Sequence, residues 1–304
     1  MLILSSINTT SCIFFLHETY APVLLSRKAS QLTKQTGIPH RPAIYDPTSL
    51  THRVYRAVQR PLRILLLQPI VFIMAVYMAL IYGTLYLLFT TFPEVFQNIY
   101  GFSPGLTGLT YLGIGIGFIL AILFGIPQID KQYRRLTAKN NGISIPEFRL
   151  PVANVGAVCI PVSLLWYGWS VQANNYFLVP IIGIPPHTPH LTPPYPSTNH
   201  FCTVLTCVGT VFFGIGTICI FNSVQNFYID AFTRYAASAI AAGTLFRSLV
   251  GAAFPLFGGD MYARLGFGWG CTVLTGAGVL LMPMPILIMK FGKKVREKFP
   301  VNLD

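Results

Sequence analysis

Arg247 lies near the middle of an apolar run, Ala236 to Phe257, about as long as a helix needs to cross a bilayer. A guanidinium at that depth costs roughly 3 kcal/mol on insertion scales. Such a residue faces a carbonyl-lined gap, a bundle interior or a water-filled path. Other polar side chains stand at helical spacing in neighbouring apolar runs. Asn222, Gln225 and Asn226 share a face at i, i+3 and i+4, which suits either interhelix hydrogen bonds or a substrate path. Tyr77, Tyr82 and Tyr86 lie in one run, with Tyr82 and Tyr86 four apart. A deep tyrosine hydroxyl needs a partner, so these residues either pack against a helix or line a cavity.

Catalytic arrangements are missing. The chain has no His-Glu-x-x-His, no Gly-x-Ser-x-Gly and no Walker A loop, so an enzyme is not expected. His187 and His190 lie in a proline-rich stretch without acid or cysteine partners, and neither metal nor cofactor is expected. The six cysteines form no Cys-x-x-Cys pair and read as small buried hydrophobes. Glu94, Asp130, Glu147, Asp230 and Asp260 all fall near the ends of apolar runs or between them. No mid-span acid is left to carry a proton.

The elements that hold these residues follow from composition. Of 304 residues, 53% are hydrophobic and only 10% charged. Soluble domains carry roughly a quarter charged residues, so the chain reads as an integral membrane protein. Six runs are long enough to span: about Ile64 to Phe89, Leu106 to Pro127, Val152 to Ser170, Phe201 to Val224, Ala236 to Phe257 and Trp269 to Met289. The net charge of +12 sits in segments that flank these runs. That favours anionic lipid headgroups as its partner and not nucleic acid. Of 21 Lys and Arg, eight lie between Arg27 and Arg63, five between Lys131 and Arg149, and five between Lys290 and Lys298. By the positive-inside rule these three segments are cytoplasmic. An even number of spans then puts both ends on the cytoplasmic side. Gly113, Gly117, Ala121 and Gly125 make a small-residue stripe that lets helices approach closely, as fixed packing or as a sliding contact.

Several runs resemble one family in order along the chain. They are Glu18-Thr-Tyr-Ala-Pro-Val-Leu-Leu-Ser-Arg-Lys-Ala29, Arg60-Pro61, Tyr82-Gly-Thr-Leu-Tyr-Leu-Leu-Phe89, Pro146-Glu-Phe-Arg-Leu-Pro151, Ala236-Ala-Ser-Ala239, Arg247-Ser-Leu249 and Phe254-Pro-Leu-Phe257. They resemble the C-terminal half of fungal drug:proton antiporters of the major facilitator superfamily, the group of multidrug and polyamine exporters. The resemblance implies an all-α membrane protein, a six-helix half of a twelve-helix fold, with substrate bound between halves near the midplane. Residues 1–16 would be a remnant of the sixth helix or a non-native start, 17–63 the cytoplasmic central loop, 64–291 the six-span half and 292–304 a cytoplasmic tail. Implied partners are the bilayer, a small-molecule substrate, protons and an N-terminal six-helix half. The plasma membrane or the vacuolar membrane would house it. The alternative is a membrane fragment or half-transporter that does not transport.

Tyr77, Tyr82, Asn222, Gln225 and Arg247 are then the expected cavity residues. Asp130-Lys-Gln-Tyr-Arg-Arg135 looks like a degenerate copy of the superfamily's cytoplasmic Asp-Arg-x-Gly-Arg-Arg signature. This implies a gating latch at Asp130, Lys131, Arg134 and Arg135, although Lys131 and Tyr133 depart from the pattern. The implied tenth helix is interrupted by a proline-rich insertion after Val179-Pro-Ile-Ile-Gly183. Residues 184–209 read either as a translated retained intron or as an extracellular loop.

Overall fold

Proline placement and apolar composition set the helices. The computed structural model describes residues 2–15, 21–40, 50–99, 102–173 and 197–299, and the His187 and His190 pair lies outside them. So do residues 184–196, half of the proline-rich insertion. Among the described residues every regular element is helical. Contacts divide the chain into Met1–Arg56 and Ala57–Asp304. The first unit holds α1 (Leu2–Phe15) and α2 (Ala21–Thr36). Gly37 ends α2 with a φ of 68°, a conformation suited to glycine. α3 runs over Leu50–Leu67.

In the second unit α4 (Pro69–Pro93) starts on a proline, whose missing N–H is no loss at a helix start. It is apolar on all sides and buries Ile70, Met74, Met78, Ile81, Leu85, Leu88 and Phe92, as the central helix of the unit must. A π-helical turn (Glu94–Ile99) follows. α5 (Pro104–Thr110), α6 (Leu112–Leu120) and α7 (Ile126–Lys139) then form one broken rod. Its π-helical turn, Ala121–Gly125, immediately precedes Pro127. Widening the turn there relieves the clash of the proline ring with the carbonyl four residues back.

α8 (Pro151–Ala173) turns one face inward. Val155, Val158, Val162, Leu165 and Trp169, spaced three and four apart, stay exposed. α9 (Ser197–Ala231) runs continuously through the site of the expected resumption at Gly209. α10 (Ala236–Leu281) breaks at Gly266, whose φ of 76° and ψ of 168° belong to a region open essentially to glycine alone. The chain doubles back there: Tyr262 and Cys271 touch, Oη to Sγ at 3.6 Å. A straight helix would hold residues nine apart about 13 Å from each other. Gln172 of α8 fastens the bend by accepting from the Gly268 N–H at 2.6 Å. α11 (Met284–Lys298) ends the described chain.

Among the described residues, five stretches are long and apolar enough to cross a membrane: Pro69–Asn98, Pro104–Lys139, Pro151–Gln172, Val208–Ala231 and Ala236–Lys298. The last contains the Gly266 reversal. Together with the apolar outward stripe of α8, they make this an integral membrane protein.

α6 and α8 both approach α9 closely. A Cβ on Gly214 would stand 2.6 Å from the Ile114 carbonyl oxygen and 3.1 Å from the Gly117 Cα. One on Gly216 would stand 3.0 Å from the Gly156 carbonyl oxygen. Gly113, Gly117 and Ala121 are buried, and a Cβ on Gly125 would lie 2.9 Å from the Cys219 Sγ. Much of the expected small-residue stripe therefore meets α9.

Candidate functional site

Two polar clusters stand out, one at mid-depth and one at an end. At mid-depth the Arg247 guanidinium of α10 lies over the ring of Tyr82 from α4, 4.9 Å from the centroid. It also lies 5.0 Å from the ring centroid of Phe221 on α9. The two rings are 6.1 Å apart. Gly251, one helical turn beyond Arg247, admits Tyr82: a Cβ there would be 2.9 Å from the Tyr82 ring. Tyr82 and Tyr86 pair through their hydroxyls at 3.2 Å, and Tyr86 is 40% exposed. Depths agree. Arg247 is about 16 Å from the start of α10, Phe221 about 15 Å from the end of α9 and Tyr82 about 20 Å from the start of α4, at 1.5 Å per residue.

Among the described residues, Arg247 is held by aromatic faces. Its Nε is buried and has no hydrogen-bond partner, and among the described residues no carboxylate lies within ion-pairing distance. Asn222 donates to the Ile218 carbonyl of its own helix at 3.1 Å, and Asn226 to that of Asn222 at 2.9 Å. Their amides are thus partly satisfied locally. Gln225 is half-buried one turn along from Phe221. Tyr77 lies elsewhere. It is 2% exposed and borders a void of about 10 Å³ with Thr84, Pro161 and Leu274, too small for a ligand. The structure therefore gathers Tyr82 and Arg247, with Asn222 and Gln225 on the Phe221 helix, and leaves Tyr77 in the core.

At one end of the unit, the turn Pro146–Arg149 joins three helices. Ile145 is extended (φ −127°, ψ 130°), as a residue before proline must be. Pro151 restarts the chain as α8, so Glu147 and Arg149 are fixed between two prolines. Arg149 donates to Asp230 at the end of α9 at 2.8 Å and to Asp130 on α7. Its guanidinium stacks 4.0 Å from the Tyr133 ring centroid. Burial opposes the charge of Arg149, but its bonds to Asp230 and Asp130 outweigh this and raise its pKa above the ordinary arginine value. Glu147, 3% exposed, accepts from Arg296 of α11 at 2.7 Å and 3.0 Å through the two carboxylate oxygens. Beside this pair opens a cavity of about 590 Å³, bordered by Gln68, Ser144, Phe232, Tyr235 and Arg296.

Of the expected latch, only Asp130 is paired. Lys131, Arg134 and Arg135 are exposed, and no ion pair is seen for them among the described residues. Sequence reasoning missed Arg149, Asp230, Glu147, Arg296 and Phe221. The signal was scarcity: the chain has nine acids, and three of them sit at ends of apolar runs beside arginines that had no assigned partner.

The chain is similar to several fungal proteins. It is 38% identical over 297 residues to the MFS-type transporter penM of Penicillium rubens, covering 97% of this chain and 53% of that protein. It is 39% identical to the MFS transporter cpaT of Aspergillus oryzae, over 97% of this chain and 54% of cpaT. It is 36% identical to the efflux pump FUB11 of Gibberella fujikuroi, over 97% of this chain and 47% of FUB11. The chain spans about half the length of the curated relatives it matches. Its homologues are transporters and efflux pumps, which are not enzymes. No protein-family profile matches the chain, and no solved structure does.

Proposed function

We propose that this chain is the C-terminal six-span half of a major facilitator exporter that moves small organic molecules by alternating access. The observation that carries the reading is similarity along 97% of the chain to half of proteins named as transporters and efflux pumps. Counting the reversal at Gly266 as a boundary turns five apolar stretches into six spans. The Arg149 and Arg296 clusters then belong to the cytoplasmic end, where the positive-inside rule puts their basic neighbours.

In this mechanism the face formed by Tyr82, Phe221, Asn222, Gln225 and Arg247 is one wall of the substrate cavity. The Pro146–Arg149 turn is the cytoplasmic fastening. Asp130 and Asp230 share Arg149, so parting α7 from α9 exposes one carboxylate and opens that side. The glycine contacts of α9 with α6 let the helices shift without side chains to shear. Proton coupling is assigned to acids of the other half. An unpaired guanidinium on the wall repels polycations, which weighs against polyamines as substrates. The plasma membrane is the proposed location.

The chain's coverage of only half of each relative favours a second reading, a half that transports only when joined to a partner half. Whole-cell retention of anionic, neutral and cationic fluorophores tests the first reading, in yeast lacking its own pumps. Lowered retention of any of them, relative to the empty-vector strain, is expected. Retention equal to the empty-vector strain, with the chain present at the membrane, overturns it.

A further inference from the structure

Resting on that reading, we propose that the Arg247 site selects organic acids, and that its ligand is a small, ring-bearing carboxylate. The argument begins with what the guanidinium lacks. It carries five N–H donors in a planar fork. Tyr82 and Phe221 offer it ring faces, which carry no lone pair to accept these hydrogen bonds. The Nε is buried with no acceptor. The ionised acids described at the end of the unit are committed elsewhere: Asp130 and Asp230 to Arg149, Glu147 to Arg296. The half-buried guanidinium thus keeps unmet donors, and a planar carboxylate is the group that matches the fork with two parallel hydrogen bonds.

The surroundings define the rest of the ligand. Arg247 rests against two adjoining rings, which orient its fork before anything binds. The exposed ring of Tyr86 extends the aromatic wall from Tyr82. Asn222 and Gln225, on the Phe221 helix, add amides that bond polar substituents without adding charge. A flat ring with a carboxylate at one end uses all of these groups. A cation meets the guanidinium with like charge, and the aromatic faces that would receive it are already occupied by Arg247.

The test measures binding to the purified full chain in nanodiscs of zwitterionic lipid. Three probes of the same shape are compared: para-hexylbenzoate, para-hexylbenzamide and para-hexylbenzylamine. The benzoate is expected to bind roughly tenfold or more tighter than the amide, the yield of a charge-assisted paired hydrogen bond. The benzylamine is expected to bind weakest. Arg247→Gln should bring the benzoate down to the affinity of the amide, while Arg247→Lys keeps part of the preference. The wild-type series needs no variant, so misfolding of Arg247→Gln leaves the test intact.

Equal affinity for benzoate and amide, or preference for the amine, overturns the proposal. So does loss of the benzoate preference when anionic lipid is added, which would assign the site to a lipid phosphate. Failure of cellular efflux with the benzoate preference intact sinks only the transport reading. Efflux with the amine preferred in binding sinks only this one.

Discussion

The ion pair between Glu147 and Arg296 ties the Pro146–Arg149 turn to α11, and removing either partner should cost unequally. Arg296 contacts Glu147 through Nη2 at 2.7 Å and 3.0 Å and through Nε at 3.2 Å. The Glu147 side chain is 4% exposed and that of Arg296 24%. Arg296→Met strands a carboxylate that water barely reaches. Breaking a buried pair this way costs about 3–5 kcal/mol, and the partial exposure of Arg296 favours the lower end. At roughly 2–4 °C per kcal/mol, the purified chain in detergent should unfold about 6–12 °C lower. Glu147→Met strands a guanidinium that can still turn toward water, so its loss should be smaller. The double variant should be the mildest of the three, since two apolar side chains of similar volume need no counter-charge. Thermal unfolding followed by intrinsic fluorescence measures all three. A double variant as unstable as the two singles summed would refute the reasoning. So would an Arg296→Met melting temperature equal to wild type.

Asp230→Asn should destabilise the chain more than Asp130→Asn, because their side chains are 25% and 59% exposed and solvent already weakens the outer bond; chemical unfolding of each variant checks the order. Gly214→Ala puts a Cβ 2.6 Å from the backbone oxygen of Ile114, so α6 and α9 must part, at about 1–3 kcal/mol. Gly108→Ala, which meets nothing within 4 Å, is its control in the same melting assay. Gly266→Ala should cost about 1–3 kcal/mol through its backbone conformation. Gly259→Ala, in the same helix but with open space, should leave the melting temperature within about 2 °C of wild type.

Much of the fold was legible because apolar length and proline position are one-dimensional signals. The runs around α4, α8 and α10 could be read directly, and Gly117 was recognisable as a contact glycine from its spacing. What it touches was not. That Gly214 and Gly216 bring α9 against two different helices depends on crossing angles that spacing does not encode. Tyr77 and Tyr82 illustrate the same limit. They are five residues apart, which on a helix is 140° of rotation, so one faces the core and the other Arg247. Arg247 was conspicuous by its cost, yet its aromatic partners come from two other helices. The charged end was hidden for a different reason. The resemblance drew attention to Asp130, Lys131, Arg134 and Arg135, while the working partner, Arg149, stood in a quoted motif whose charges had been left unassigned.

The most direct test of the account is flux through the chain itself. Proteoliposomes would contain it alone, or together with the N-terminal half of the penM transporter, with an imposed pH gradient and the same set of fluorophores. The account predicts gradient-dependent movement of at least one fluorophore above empty liposomes in the paired preparation, reduced by Arg247→Gln. Flux equal to empty liposomes in both preparations, with the chain fully inserted, would contradict it.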